Sequence, residues 1–165
     1  STRTLGQYRK MKTTITTLLI LAVAHIATAG ESLKVLTETD AKISQMDLIV
    51  LKRSVLLLGT NHKPDAPKFN RMTYDAAEDK LVQYYTVGAT ELDRVFAEDK
   101  TYLDLYRFRY DTEYSTLRNY LGIWKEDYGL EMHFSLVGGG KGVIIGRDGV
   151  RDRDTKKQLG LSWVK

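Results

Sequence analysis

A chain of 165 residues, 42% of them hydrophobic, is long enough for one domain with its own core and short for two. Its formal charge of +4 is accounted for by Arg3, Arg9, Lys10 and Lys12, because residues 1–29 hold no acid and the rest of the chain is balanced, which argues against nucleic acid as a partner. The absence of cysteine excludes disulfides, thiol redox chemistry and thiolate metal sites.

The leading segment has the pattern of a secretory signal. Met11-Lys12 gives a basic start, Ile15 to Ile26 an apolar middle, and Ala27-Thr28-Ala29 a small-x-small cleavage pattern before Gly30. Thr13, Thr14, Thr16 and Thr17 keep the apolar stretch below the length of a membrane-spanning helix. Residues 1–29 are therefore expected to be leader and signal peptide, and residues 30–165 a single secreted domain, extracellular or periplasmic, with no stable membrane span after cleavage.

Along that domain, residues 30–45 are polar and mixed, with Thr39 and Asp40 placed to cap a short helix. Ser54 to Leu58, followed by Gly59, is a continuous apolar run and predicts the first central strand. Thr60 to Pro67, TNHKPDAP, is a loop. Phe69, Met72, Ala76, Leu81 and Tyr84 can then share one face of a helix over 69–84, and Leu92, Val95 and Phe96 one face of a second over 91–100. Tyr102 to Tyr110, YLDLYRFRY, alternates as a strand, with Tyr106, Phe108 and Tyr110 on one side. Asp111 or Thr112 caps a helix to about Tyr120, with Tyr114, Leu117 and Leu121 inward.

Phe134 to Gly149, FSLVGGGKGVIIGRDG, poses a choice between a phosphate cradle and a turn. A nucleotide P-loop requires a glycine five positions before Gly140-Lys141 and a hydroxyl after the lysine, and those positions hold Ser135 and Gly142. Gly138, Gly140 and Gly142 lead into Val143, Ile144 and Ile145, which favour a strand over the helix of a dinucleotide fold. The segment is read as a closing β-hairpin, with no cofactor. The element order predicts an α/β domain around a mixed sheet.

That order resembles the thioredoxin-like fold. Leu117 to Ile123, LRNYLGI, the hairpin sequence, and Lys52 to Leu58, KRSVLLL, resemble the exported DUF4174 family, found also in sushi-repeat and coiled-coil-domain-containing matrix proteins. The resemblance spans residues 50–155. It implies a thioredoxin-like mixed sheet flanked by helices, a closing helix shortened to Asp154–Lys165, and a protein or extracellular-matrix partner. The chain lacks the family fold's redox C-x-x-C, so thioredoxin activity is excluded.

Two chemistries compete. His62, Lys63 and Asp65 in the TNHKPDAP loop form a polar group at the carboxyl end of the expected first strand, where open α/β sheets place ligands, and a small hydrolase could use them. Lys141, Arg147, Arg151 and Arg153 make a basic end able to meet an anionic glycan, although Asp148, Asp152 and Asp154 interleave as self-neutralising surface charge. A non-enzymatic binding domain is the favoured reading and the His62 hydrolase the alternative. No metal site is expected.

Overall fold

The computed structural model describes the backbone of residues 38–123 and 128–164, with side chains from residue 43, so the leader and signal expected over residues 1–29 lie outside the described residues. The chain divides at residue 42, and the second unit, residues 43–165, carries every element below except the first turn of helix α1. The described residues form an open α/β architecture: α1 (Glu38–Leu58), β1 (Lys68–Asp75), β2 (Lys80–Thr86), α2 (Ala89–Phe96), α3 (Lys100–Tyr120), β3 (Gly129–Ser135), β4 (Gly142–Gly146), β5 (Gly149–Asp152) and β6 (Gln158–Leu159). The six strands lie in sequence order, with β2 and β3 parallel and every other neighbouring pair antiparallel.

Strand alternation sorts the sheet into two faces. Phe69, Met72, Leu81, Tyr85, Leu130, Met132, Phe134, Val143, Ile145, Val150 and Leu159 share one apolar cluster with Met46, Ile49 and Leu57 of α1, Leu92 and Val95 of α2, and Tyr106, Tyr110 and Leu117 of α3. Val82 and Ile144, pointing the other way, are buried yet stand outside that cluster. The helices thus pack on one face of the mixed sheet.

The closing hairpin forms as expected, with Met132 opposite Ile145 and Phe134 opposite Val143. Its glycines serve the turn: Gly138 and Gly139 have φ of 83° and 79°, a region that favours glycine, while a Cβ on either would touch nothing. Helix α2 also falls where expected, with Leu92 and Val95 buried.

Four segments differ from expectation. Ser54 to Leu58, read as a central strand, is the last part of α1. A short apolar run does not distinguish a buried strand from a helix, and here Met46, Ile49, Val50, Arg53 and Leu57 recur at helical spacing on the side that meets the sheet. The segment that resembles the opening strand of the thioredoxin-like order is therefore helical.

The helix expected over 69–84 is instead the β1–β2 hairpin. Its turn at 76–79 is built by Asp75, whose carboxylate accepts from the Ala77 and Glu78 amides, and by Asp79 at φ 50°. An irregularity between Phe69 and Arg71 breaks the simple alternation that would have marked β1 as a strand.

Tyr102 to Tyr110 is helical, within α3, which Asp99 caps by accepting from the Thr101 amide. Tyr106, Tyr110, Glu113 and Leu117 are its buried positions, at spacings of four, three and four. No closing helix occupies 154–164. Asp152 instead holds a turn, accepting from the Asp154 amide and the Thr155 hydroxyl, and β6 returns to the sheet. Trp163 then packs near Tyr110, ring centroids 6.0 Å apart.

Phe134 lies at the centre of the core, 1% exposed, stacked on Tyr85 and tilted against Tyr106. Phe134→Ala should lower the unfolding free energy by about 3–5 kcal/mol, measured by urea denaturation with an unchanged m-value. Val137→Ala, in the exposed hairpin turn, should leave it within about 0.5 kcal/mol.

Candidate binding cleft

The parallel pair supplies a floor. Tyr85 on β2 sits opposite Phe134 on β3, their rings stacked at 4.9 Å and 9° between planes, with Met132 one side-chain step along β3. Phe108, Arg109, Thr112 and Glu113 of α3 form one wall, and Thr60, Lys63, Ala66 and Pro67 of the loop after α1 form the other. The cleft is open to solvent and has a volume of about 390 Å³. It lies toward the carboxyl ends of the parallel strands, where α/β sheets place ligands. Phe108, 68% exposed, stands at the rim.

A polar chain fixes the inner end. Arg53 donates through Nε to Glu113 Oε1 at 2.8 Å and through Nη2 to Oε2 at 2.6 Å, a bidentate pair joining α1 to α3. Gln83, fully buried, donates to Glu113 Oε1 at 2.7 Å and accepts from the Tyr85 hydroxyl at 2.9 Å. Burial opposes the charge on Arg53, but the Glu113 hydrogen bonds and charge outweigh it and hold the guanidinium above its ordinary pKa. Burial and the Glu113 charge push the Tyr85 hydroxyl up.

A second group stands beside it. Glu91 accepts from the Tyr106 hydroxyl at 2.7 Å and pairs with Arg109, whose guanidinium lies 5.0 Å from the Tyr106 ring centroid. Burial and the Glu91 charge raise the Tyr106 pKa. Both tyrosines therefore stay protonated at neutral pH and act as hydrogen-bond donors.

Both Glu113 oxygens are occupied by donors, so the carboxylate is an anchor and a poor proton acceptor for anything entering the cleft. With Arg53 and Arg109 each paired, Lys63 is the cleft cation that makes no ion pair among the described residues.

The residues singled out from sequence fall in three places. Lys63 lines this cleft, and Asp65 lines a neighbouring one of about 470 Å³ with Thr86, Glu91 and Tyr102, the two sharing Ala66 and Pro67. His62 is exposed on the turn after α1, its Nδ1 2.8 Å from the Gly59 carbonyl, and lines neither cleft. The expectation that this loop follows a strand is corrected, since it follows a helix, yet it still borders the carboxyl ends of β2 and β3.

Lys141 in the hairpin turn pairs with Asp93 of α2 at 2.9 Å and sits over Phe96. Arg151 pairs with Asp148 at 2.8 Å, and Arg147 is exposed on the β4–β5 turn beside a third cleft. The basic end is thus partly neutralised from within.

Arg53, Gln83, Tyr85, Arg109 and Glu113 were not reached from sequence. For Glu113 the signal was available on the helical reading of 100–120, which places it on the same stripe as Tyr106, Tyr110 and Leu117.

The opposite sheet face, which holds Val82 and Ile144, also carries a charged group. Glu131 accepts from Lys80 at 2.9 Å and lies 2.7 Å from His133 Nε2, while the His133 ring is 4.9 Å from Tyr84, itself covered by Arg71. No family model, curated protein or solved structure matches the chain.

The hydrogen bond with His133, opposed by partial burial and joined by the Lys80 ammonium, holds the Glu131 carboxyl at about 2 against an ordinary 4.5. A depressed folded-state pKa gives stability that is present above pH 4.5 and lost as pH falls through about 2. Glu131→Gln should therefore be less stable than the parent at neutral pH, on the order of 2 kcal/mol. The difference should close between pH 4.5 and 2, measured by denaturant unfolding across that window.

Proposed function

We propose that residues 30–165 act as an exported, non-enzymatic binding domain whose cleft over β2 and β3 receives an apolar side chain of a protein partner, with a neighbouring acidic group on Lys63. The carrying observation is the cleft itself: exposed Phe108 stands over a buried apolar floor of Tyr85, Met132 and Phe134, and Lys63 is the wall cation that makes no ion pair among the described residues. Apolar lining with a few convergent polar groups is the usual character of a ligand site. An exposed aromatic at such a rim is the kind of side chain that anchors interfaces.

Export rests on the signal pattern of residues 11–29, and a matrix partner on the DUF4174 resemblance of the sequence. The hydrolase alternative has less support. His62 has a backbone carbonyl as its hydrogen-bond partner and stands apart from the cleft carboxylate, which Arg53 and Gln83 already hold. An anionic glycan is also less well served, because Lys141 and Arg151 are each engaged by an aspartate.

Short peptides pairing leucine or phenylalanine with an adjacent aspartate or glutamate test the proposal. In a titration followed by amide chemical shifts, perturbations should centre on Tyr85, Phe108, Thr112 and Met132. Phe108→Ser should weaken binding roughly ten-fold or more, and Lys63→Glu should weaken the acidic peptides selectively and reduce their salt dependence. Perturbations confined to Tyr84, His133 and Arg71, or no binding at millimolar peptide, would contradict it.

A further inference from the structure

Helix α1 carries two apolar stripes. Met46, Ile49, Val50 and Leu57 face the core together with Arg53. Leu48, Leu51, Val55 and Leu58 follow at spacings of three, four and three, and all are exposed, Leu51 by 62% and Val55 by 63%; Leu56, 59% exposed, lies outside this stripe. At about 100° per residue the second stripe is centred nearly opposite the first. Its length, from Leu48 to Leu58, is about 15 Å at 1.5 Å per residue.

The spacing is that of a heptad seam, with Leu48 and Val55 at a and Leu51 and Leu58 at d. Val55, one of the two a residues, is β-branched and both d residues are leucine, features that suit two parallel strands. Asp47 and Lys52 flank the seam at the g and following e positions. Five residues apart, they point about 140° from each other and cannot pair within one helix. Both are exposed, and neither makes an ion pair among the described residues.

We infer that α1 is a homodimerisation helix, pairing in parallel with α1 of a second copy. In that arrangement Asp47 of each copy meets Lys52 of the other, and the two seams cover one another. An antiparallel pairing of the same seams sets e against e, bringing the two Lys52 ammonium groups together, so the charges favour the parallel form. The inference is independent of the cleft, which opens between α3 and the loop after α1.

Sedimentation equilibrium of the full chain through the micromolar range should give twice the chain mass. Leu51→Glu should give a monomer with an unchanged circular dichroism spectrum. Asp47→Lys sets lysine against lysine twice and Lys52→Asp sets aspartate against aspartate twice, so each alone should weaken the dimer roughly ten-fold. Mixing the two variants restores both attractive pairs and should recover parental affinity in a heterodimer, which also keeps the inference testable if Leu51→Glu fails to fold. A monomeric parent would overturn it and give the seam to another occupant, such as an apolar segment of the same chain or a different protein. A dimer indifferent to both charge reversals would overturn the parallel pairing.

Discussion

The bidentate pair between Arg53 and Glu113 ties together elements sixty residues apart in sequence. Among its described side chains, helix α1 contributes Met46, Ile49 and Leu57 as buried apolar groups, so its rotation about its own axis is weakly specified by apolar packing alone. A guanidinium fork that must meet a carboxylate on α3 removes that freedom. It places the helix's inner stripe on the sheet and, by the same rotation, turns Leu48, Leu51, Val55 and Leu58 outward. Through Gln83 the same carboxylate is tied to β2, and through Gln83 again to the Tyr85 hydroxyl in the cleft floor.

Such a pair is weak evidence for net stability, since removing two charges from water offsets much of their attraction. Its role here is better described as selecting one arrangement. An apolar substitute at both positions could fill the space, but it would accept several helix rotations and leave the Gln83 amide with only the Met72 sulfur, 3.6 Å away, as acceptor. The cleft geometry therefore depends on polar satisfaction deep in the core, while the bulk of the burial comes from Phe134, Leu81, Tyr106 and the aliphatic residues of β4 and β5.

Local signals were legible where chemistry is local. The hairpin around Gly138 to Lys141 could be read because glycine, β-branched residues and a failed phosphate-loop spacing point the same way. Helix α2 could be read from Leu92, Val95 and Phe96. The aromatic segment 102–110 was misread because Tyr106, Phe108 and Tyr110 satisfy a two-residue period as well as Tyr106, Tyr110, Glu113 and Leu117 satisfy a helical one. Only length arbitrates, and breaking the segment at Asp111 hid the longer period. The same error concealed the site, since Glu113 reads as a surface acid near a helix start until α3 is continuous. Arg53 was concealed too, as it sat at the head of an apolar run taken for a strand. Lys63 and Asp65 were singled out because a loop rich in proline and polar residues stands out in any fold, and each lines a cleft.

A double-mutant cycle across the clamp tests the central claim, that the Arg53–Glu113 pair sets the arrangement of α1, α3 and the cleft floor. Arg53→Met and Glu113→Leu are measured singly and together by denaturant unfolding. Each single change strands a largely buried charge and should cost about 3–5 kcal/mol, whereas the double variant should lie much closer to the parent, a coupling of several kcal/mol. Two inexpensive single changes that simply add would show that the pair is incidental and contradict the account.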